Sequence, residues 1–208
     1  MKVSATSPAR DEIVLPFPDA PGVAAYIRST LLTSSLQSLR ARGLEEKHSR
    51  LLPPEHRDTI LSCVAGQWLP IAVGAAHYEA CGKLGLSAAE QHEVGRSVSK
   101  QIHETLLGLT VKMARGVGLT PWTLLAKGNT LFSRLFRGGG TQITRLGASS
   151  ARIEIAGLPL LEIPYFRNAV SGTYAAGIEL LGRGASVRLR ASDGASFATR
   201  CTFFAEWS

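Results

Sequence analysis

The sequence predicts an α+β fold in which an N-terminal helical lobe packs on a C-terminal ββαββ unit with a four-stranded, mainly antiparallel sheet. The first two thirds of the chain repeat apolar residues at helical spacing, whereas the last third contains four segments of alternating pattern around one helix. Gly138-Gly139-Gly140 separates the two patterns. We therefore predict one compact domain of two lobes, with a flexible lead-in over 1–22, a helical lobe over 23–137 and a ββαββ lobe over 138–208.

The lead-in contains four prolines among small and charged residues, which is typical of a flexible segment. Its apolar patch, Ile13 to Phe17, is predicted to dock in an extended conformation. Helices then follow from Val23 to Arg42, from Pro53-Pro54 to about Gln67, and from Leu69 to Lys83.

The best local signal is a capping box, in which Ser87 and Glu90 satisfy free backbone N–H groups at a helix start. The helix that it opens is predicted to be the spine of the helical lobe, with an apolar stripe at Val94, Val98, Ile102, Leu106, Leu109 and Met113. A further helix follows Thr120-Pro121, with a weak point at Gly128-Asn129.

The C-terminal unit is predicted to run strand, strand, helix, strand, strand. Its segments are Thr141 to Leu146, Ala151 to Ile155, a helix from Pro164 to Gly182, Ala185 to Ala191, and Phe197 to Trp207. Ser192-Asp193-Gly194 is a turn signal between the last two strands. Small residues in the helix, Gly172, Ala175, Ala176 and Gly177, predict the close approach of another element.

No catalytic constellation is found: the G-x-S-x-G elbow, the phosphate-binding loop and the G-x-G-x-x-G fingerprint are all absent from the sequence. We therefore expect a protein that is not an enzyme. The three cysteines lie far apart, no apolar run reaches the length of a membrane span, and no secretory signal is present, so the expected compartment is the cytoplasm.

Three groups of residues are candidate sites. An apolar small-molecule pocket between the helical lobe and the sheet is predicted from the aromatic residues Trp122, Phe132, Phe136, Tyr165, Phe166 and Tyr174; the alternative is that they only fill the core. Arginines on the outer sheet face, Arg152, Arg188, Arg190 and Arg200, would suit an acidic partner or nucleic acid.

His77 and Cys81 are four residues apart on a predicted helix, so both could reach one metal ion from the same face. Two ligands do not make a structural zinc site, and no second pair has suitable spacing. The sequence therefore predicts no metal site.

Diffuse similarities extend from about Tyr26 to Trp207. They are carried by the Trp122 to Phe136 helix leading into Thr141 to Gly147, by Gly172 to Gly177, and by the closing Cys201 to Trp207. In these features the chain resembles an uncharacterised domain family best known from myxobacterial proteins, related to the 4-vinyl-reductase and haem nitric-oxide-binding sensor domains. The resemblance implies a mixed α and β ligand-sensing or assembly domain, often dimeric, that serves signalling systems.

The Tyr-x-Ser-x-Arg signature of the haem sensors is absent, because none of the four tyrosines is followed by that pattern. We therefore expect no cofactor, with haem or another tetrapyrrole as an alternative for which His77 or His103 would be the axial ligand. The leading hypothesis is a sensor or adaptor domain that binds an apolar small molecule or a protein partner. Nucleic-acid or acidic-partner binding through the arginine face is the second.

Overall fold

Two antiparallel sheets and a set of helices make up the computed structural model, which describes residues 11–106, 119–190 and 196–208. The strands are β1 (Glu12–Leu15), β2 (Tyr26–Arg28), β3 (Trp68–Pro70), β4 (Phe136–Arg137), β5 (Gly140–Gly147), β6 (Ser150–Ala156), β7 (Ser186–Leu189) and β8 (Arg200–Glu206). The helices are α1 (Ser29–Ala41), α2 (Glu45–Leu51), α3 (Pro54–Ser62), α4 (Ile71–Gly82), α5 (Ala88–Leu106), α6 (Pro121–Leu125), α7 (Gly128–Leu135) and α8 (Pro164–Glu179). The mixed helix and sheet class is confirmed.

The larger sheet has five strands in the order β1-β5-β6-β8-β7, so the predicted four-stranded sheet is wrong in its strand number. The extra strand comes from the lead-in: Glu12 lies opposite Arg145 and Ile13 opposite Thr144 along β5, which would be the edge strand without β1. An unpaired edge strand has free N–H and C=O groups, and the extended apolar patch satisfies them. The lead-in is thus structured over part of its length.

A second, three-stranded sheet in the order β3-β2-β4 lies among the helices. Tyr26 to Arg28 pairs with Trp68 to Pro70 on one side, and Tyr26 and Ile27 pair with Arg137 and Phe136 on the other. The predicted helix starts at Val23 and Leu69 are therefore wrong, because Tyr26 to Arg28 and Trp68 to Pro70 pair with each other as strands. α1 and α4 begin directly after them.

The capping box forms as predicted, since the backbone N–H of Ser87 donates to Glu90 Oε2 over 2.8 Å at the start of α5. The predicted weak point after Thr120-Pro121 is a break between α6 and α7. The predicted stripe positions Leu109 and Met113, and the turn Ser192-Asp193-Gly194, lie outside the described residues.

α5 and α8 pack with their backbones in contact, which is the close approach expected from the small residues of α8. A Cβ placed on Gly95 would lie 1.8 Å from the carbonyl oxygen of Ala169, and one on Gly172 would lie 1.9 Å from that of His92. Ser99 Oγ also donates to the carbonyl of Thr173 over 3.1 Å. Of this pair, α8 packs on the buried sheet face, which contains Ile143, Ile153 and Phe203, and its Tyr174 ring lies against Phe203.

Within the described part of the chain, no helix combines the length and apolarity that a membrane crossing requires.

Candidate functional site

An apolar cavity of about 170 Å³ lies between α5, α7 and α8 and the inner face of the large sheet. α5 contributes Val94, Val98 and Ile102 at helical spacing, and the sheet contributes Ile143 and Ile155 from adjacent strands. The walls are almost wholly hydrocarbon. In another protein, an engineered apolar cavity of about 150 Å³ stays dry and takes benzene or xenon, so a void of this size and character can hold a small apolar molecule.

The structure brings five of the six predicted pocket aromatics into the cavity wall: Phe132, Phe136, Tyr165, Phe166 and Tyr174. Trp122 is the exception. Its indole N–H donates to the carbonyl of Ala148 over 2.8 Å, its ring meets Trp207 edge-on, and the Arg145 guanidinium lies 4.5 Å from its centre. Trp122 therefore belongs to an aromatic cluster at the end of the sheet, which its proximity in sequence to Phe132 did not reveal.

At one end the cavity reaches a buried polar cluster, which we call the His/Cys cluster and define as His48, His77 and Cys81. His77 and Cys81 lie one turn apart on α4, and α2 adds His48, which the sequence prediction did not include. Ser35 joins the cluster to the cavity, because it lines the cavity and forms a 2.9 Å hydrogen bond with His77 Nε2. Burial lowers the pKa of His77 well below its usual value, so the imidazole is neutral at pH 7.

The cavity-lining tyrosines are also neutral. Burial raises the pKa of Tyr78, Tyr165 and Tyr174 above the ordinary phenol value. Among the described lining residues there is no histidine, cysteine, methionine, lysine or arginine. The second histidine proposed as an axial ligand, His103, lies in α5 one turn beyond Ser99, and its side chain is outside the described part of the structure.

The predicted basic surface is partly neutralised by acidic neighbours. Arg152 lies 3.4 Å from Asp11 and 3.4 Å from Glu154, and Arg200 lies 3.6 Å from Glu154. Arg188 Nε donates to the hydroxyl of Ser186. Arg190, whose backbone N–H donates to Thr202, extends the row. Asp11 and Glu154 thus offset part of the charge of Arg152 and Arg200, which reduces the charge that the face offers to a polyanion.

No protein-family profile matches the sequence, and a search of characterised proteins finds no significant match. Solved structures do match over most of the chain. An H-NOX protein mutant from K. algicida in the Fe(II) unliganded form superposes with a TM-score of 0.62 at 11% identity, covering 88% of this chain and 97% of that one. An oxygen-binding H-NOX domain related to soluble guanylate cyclases gives 0.56 at 11% identity, covering 87% and 95%.

A third solved structure comes from work on how protein-induced porphyrin distortion modulates the haem redox potential. It gives a TM-score of 0.57 at 11% identity and covers 86% of this chain and 99% of that one. These comparisons contradict the prediction that the chain has no cofactor, because the proteins that share its fold are haem proteins. The expected relation to haem sensor domains is confirmed at the level of architecture. With identities of 11% the likeness is one of fold, and the chain has the fold of H-NOX domains.

Proposed function

We propose that this chain is a ligand-sensing domain that binds haem, or another flat apolar molecule, in the cavity between the helices and the large sheet. The observation that supports the proposal is the apolar cavity, located between the helical and sheet layers of a fold that haem-binding H-NOX domains share. The proposal involves binding and no reaction. The predicted absence of enzymatic activity, a cytoplasmic location, a homodimer and a protein partner stay predictions, as does the relation to the myxobacterial and 4-vinyl-reductase families.

The described residues fit only one part of haem. The hydrocarbon walls suit the faces of a porphyrin, but the described lining includes no histidine, cysteine or methionine for the iron and no basic side chain for the carboxylates. Its three tyrosines are the remaining ligand type, and burial raises their pKa and keeps them protonated. Of the two histidines proposed for the iron, His77 lies behind Ser35 and is held in a hydrogen bond. In this arrangement the described cavity residues do not fit the whole group, and haem binding would require the cavity to open.

The volume favours a second candidate, a smaller apolar ligand. Pockets for drug-sized molecules measure roughly 300–1,000 Å³, whereas this cavity measures about 170 Å³. A molecule of one or two rings therefore needs the least rearrangement. This candidate uses the same walls as haem, so one variant tests both.

Sensing would follow from a shift between two arrangements of the cavity walls. Because the backbones of α5 and α8 touch at Gly95 and Gly172, these two helices are expected to move as one body. A ligand larger than the cavity would push this pair away from α7 and β5. A partner that contacts the outer face of either helix would then meet a changed surface.

The test is a titration of the metal-free protein with haem, followed by absorption, and with aromatic hydrocarbons from benzene upward, followed by thermal unfolding. Val98→Phe replaces an isopropyl group in the cavity wall with a larger phenyl ring, and Val64→Phe makes the same change at an exposed position away from the cavity. We expect saturable binding that Val98→Phe weakens at least about tenfold, or about 1.4 kcal/mol, and that Val64→Phe leaves unchanged. If neither haem nor any hydrocarbon binds saturably, or if Val98→Phe binds as the parent protein does, the proposal is wrong.

A further inference from the structure

Three side chains of the types that bind transition metals, from two helices, meet in the interior of the helical lobe. The potential ligand atoms of His48, His77 and Cys81 all lie within 4.8 Å of one another, and all three residues are buried. His77 Nε2 and Cys81 Sγ are 3.7 Å apart. A tetrahedral zinc ion with bonds of about 2.1 Å to nitrogen and about 2.3 Å to sulfur separates two such ligands by about 3.6 Å. The pair on α4 thus already has the spacing of a metal centre.

The histidines are also incompletely satisfied as polar groups, which is the second and independent observation. His48 and His77 both have 0% exposure. Even so, the two ring nitrogens of His48 form no hydrogen bond of good geometry, and Nδ1 of His77 forms none either. A buried polar atom without a partner costs about 1–3 kcal/mol, and a bound ion is one of the standard explanations for it.

The orientation of His48 agrees with a ligand role. The His48 ring makes a polar contact with the backbone of His77, but this contact does not have good hydrogen-bond geometry. Metal-binding histidines almost always direct the second ring nitrogen at a carbonyl, a carboxylate or water, which leaves the first nitrogen as a neutral donor to the metal. The two imidazole rings meet edge-on with their centres 4.8 Å apart. The ligand nitrogen of His48 lies within 4.8 Å of both ligand atoms of the α4 pair, about 1 Å beyond the separation in a tetrahedral zinc site.

We propose that His48, His77 and Cys81 form a binding site for a thiophilic transition metal such as Zn²⁺. Two imidazoles and one thiolate are ligands that zinc and copper prefer, and the cluster has no carboxylate for Mg²⁺ or Ca²⁺. Ser35 Oγ, 2.9 Å from His77 Nε2, or a water molecule beside it, takes the fourth position. On binding, the Cys81 thiol loses its proton to solvent and the sulfur forms the bond to the metal.

The site goes beyond the proposed function, because it needs no ligand in the cavity. It would tie α2 directly to α4, in addition to the hydrogen bond from Lys47 Nζ of α2 to the carbonyl of Leu84 just after α4. Metal that binds the folded state and not the unfolded state raises the free energy of unfolding by RT ln(1 + [M]/Kd), so the stability increases with the logarithm of the metal concentration once the site is filled.

The experiment uses the full chain, treated with chelator, freed of haem and titrated with Co²⁺. We expect one equivalent to produce thiolate-to-cobalt absorption and the visible bands of tetrahedral Co²⁺, both lost on addition of Zn²⁺. Cys81→Ser should abolish the thiolate absorption, and His48→Gln should weaken Co²⁺ binding at least about tenfold. Cys201→Ser is the matched control, because that thiol is equally buried but lies in β8, and it should keep both signals.

The second measurement is thermal unfolding with and without Zn²⁺. It shows whether each variant is folded, so that a loss of metal binding is not confused with a loss of the fold. Zn²⁺ should raise the Tm of the parent and of Cys201→Ser, and should raise that of His48→Gln by less at the same Zn²⁺ concentration. Absence of the thiolate absorption in the parent, or its survival in Cys81→Ser, would overturn the proposal. Because no haem or hydrocarbon is present, failure here is distinct from failure of the cavity to bind a ligand.

Discussion

The contact between α5 and α8 predicts that Gly95→Ala destabilises the fold, although alanine is the better helix former. The added methyl would lie 1.8 Å from the carbonyl oxygen of Ala169, whereas ordinary contact begins at 3.4 Å, so the two backbones must separate by about 1.6 Å. A gap of 0.5–1 Å already removes a quarter to a half of the dispersion energy of packed atoms.

Overpacking costs typically 1–3 kcal/mol, and this contact belongs at the upper end because a backbone oxygen has no alternative rotamer. The higher helix propensity of alanine offsets about 1 kcal/mol of this cost. The expected net loss is therefore about 2 kcal/mol, which lowers the Tm of a chain of this size by about 4–8 °C.

Thermal and denaturant unfolding of purified variants measure this loss. Gly82→Ala is the matched control, because its added methyl would meet Tyr165 Cβ at 3.8 Å, an ordinary contact. That variant should be between unchanged and about 1 kcal/mol more stable. If Gly95→Ala is as stable as Gly82→Ala, the helices do not approach as closely as the structure shows and the argument fails.

Two further predictions concern charge and thiols. The hydrogen-bonded Arg96 guanidinium lowers the pKa of the Glu179 carboxyl, so this pair stabilises the fold above the unfolded pKa of about 4.3 and loses its effect as pH falls through the lower folded pKa. Glu179→Gln should cost about 1–2 kcal/mol at pH 7 and reduce the fall in Tm between pH 7 and pH 3; an unchanged fall contradicts this assignment. Burial raises the pKa of Cys81 and Cys201 to about 12, whereas Cys63 is only half-buried, so a thiol reagent at pH 8 should modify Cys63 first. Cys63→Ser should remove the fast phase of this modification reaction. If two or more thiols react in the fast phase, Cys81 and Cys201 are not both buried and the prediction is wrong.

Local signals in the sequence were sufficient for the elements that are stabilised within themselves. The capping box at Ser87 specifies the start of α5 because both partners lie within one turn. Long alternation identifies β6 and β8, since a strand with one buried face repeats every second residue. Four of the predicted pocket aromatics line one cavity because they lie on the sides of α7 and α8 that face it, and the fifth, Phe136, follows α7 directly in β4.

The remaining features depend on partners that are distant in sequence. The two- and three-residue strands β2, β3 and β4 are too short for any periodicity, and each is a strand only because the others complete its hydrogen bonds. β1 pairs with β5 more than 120 residues away in the chain, which no local pattern indicates. The sequence alone thus determined an α+β chain with an apolar interior and the His77–Cys81 pair. Only the tertiary structure decided that the sheet has a fifth strand, that Trp122 lies apart from the cavity, and that His48 reaches the pair, because each depends on non-local packing.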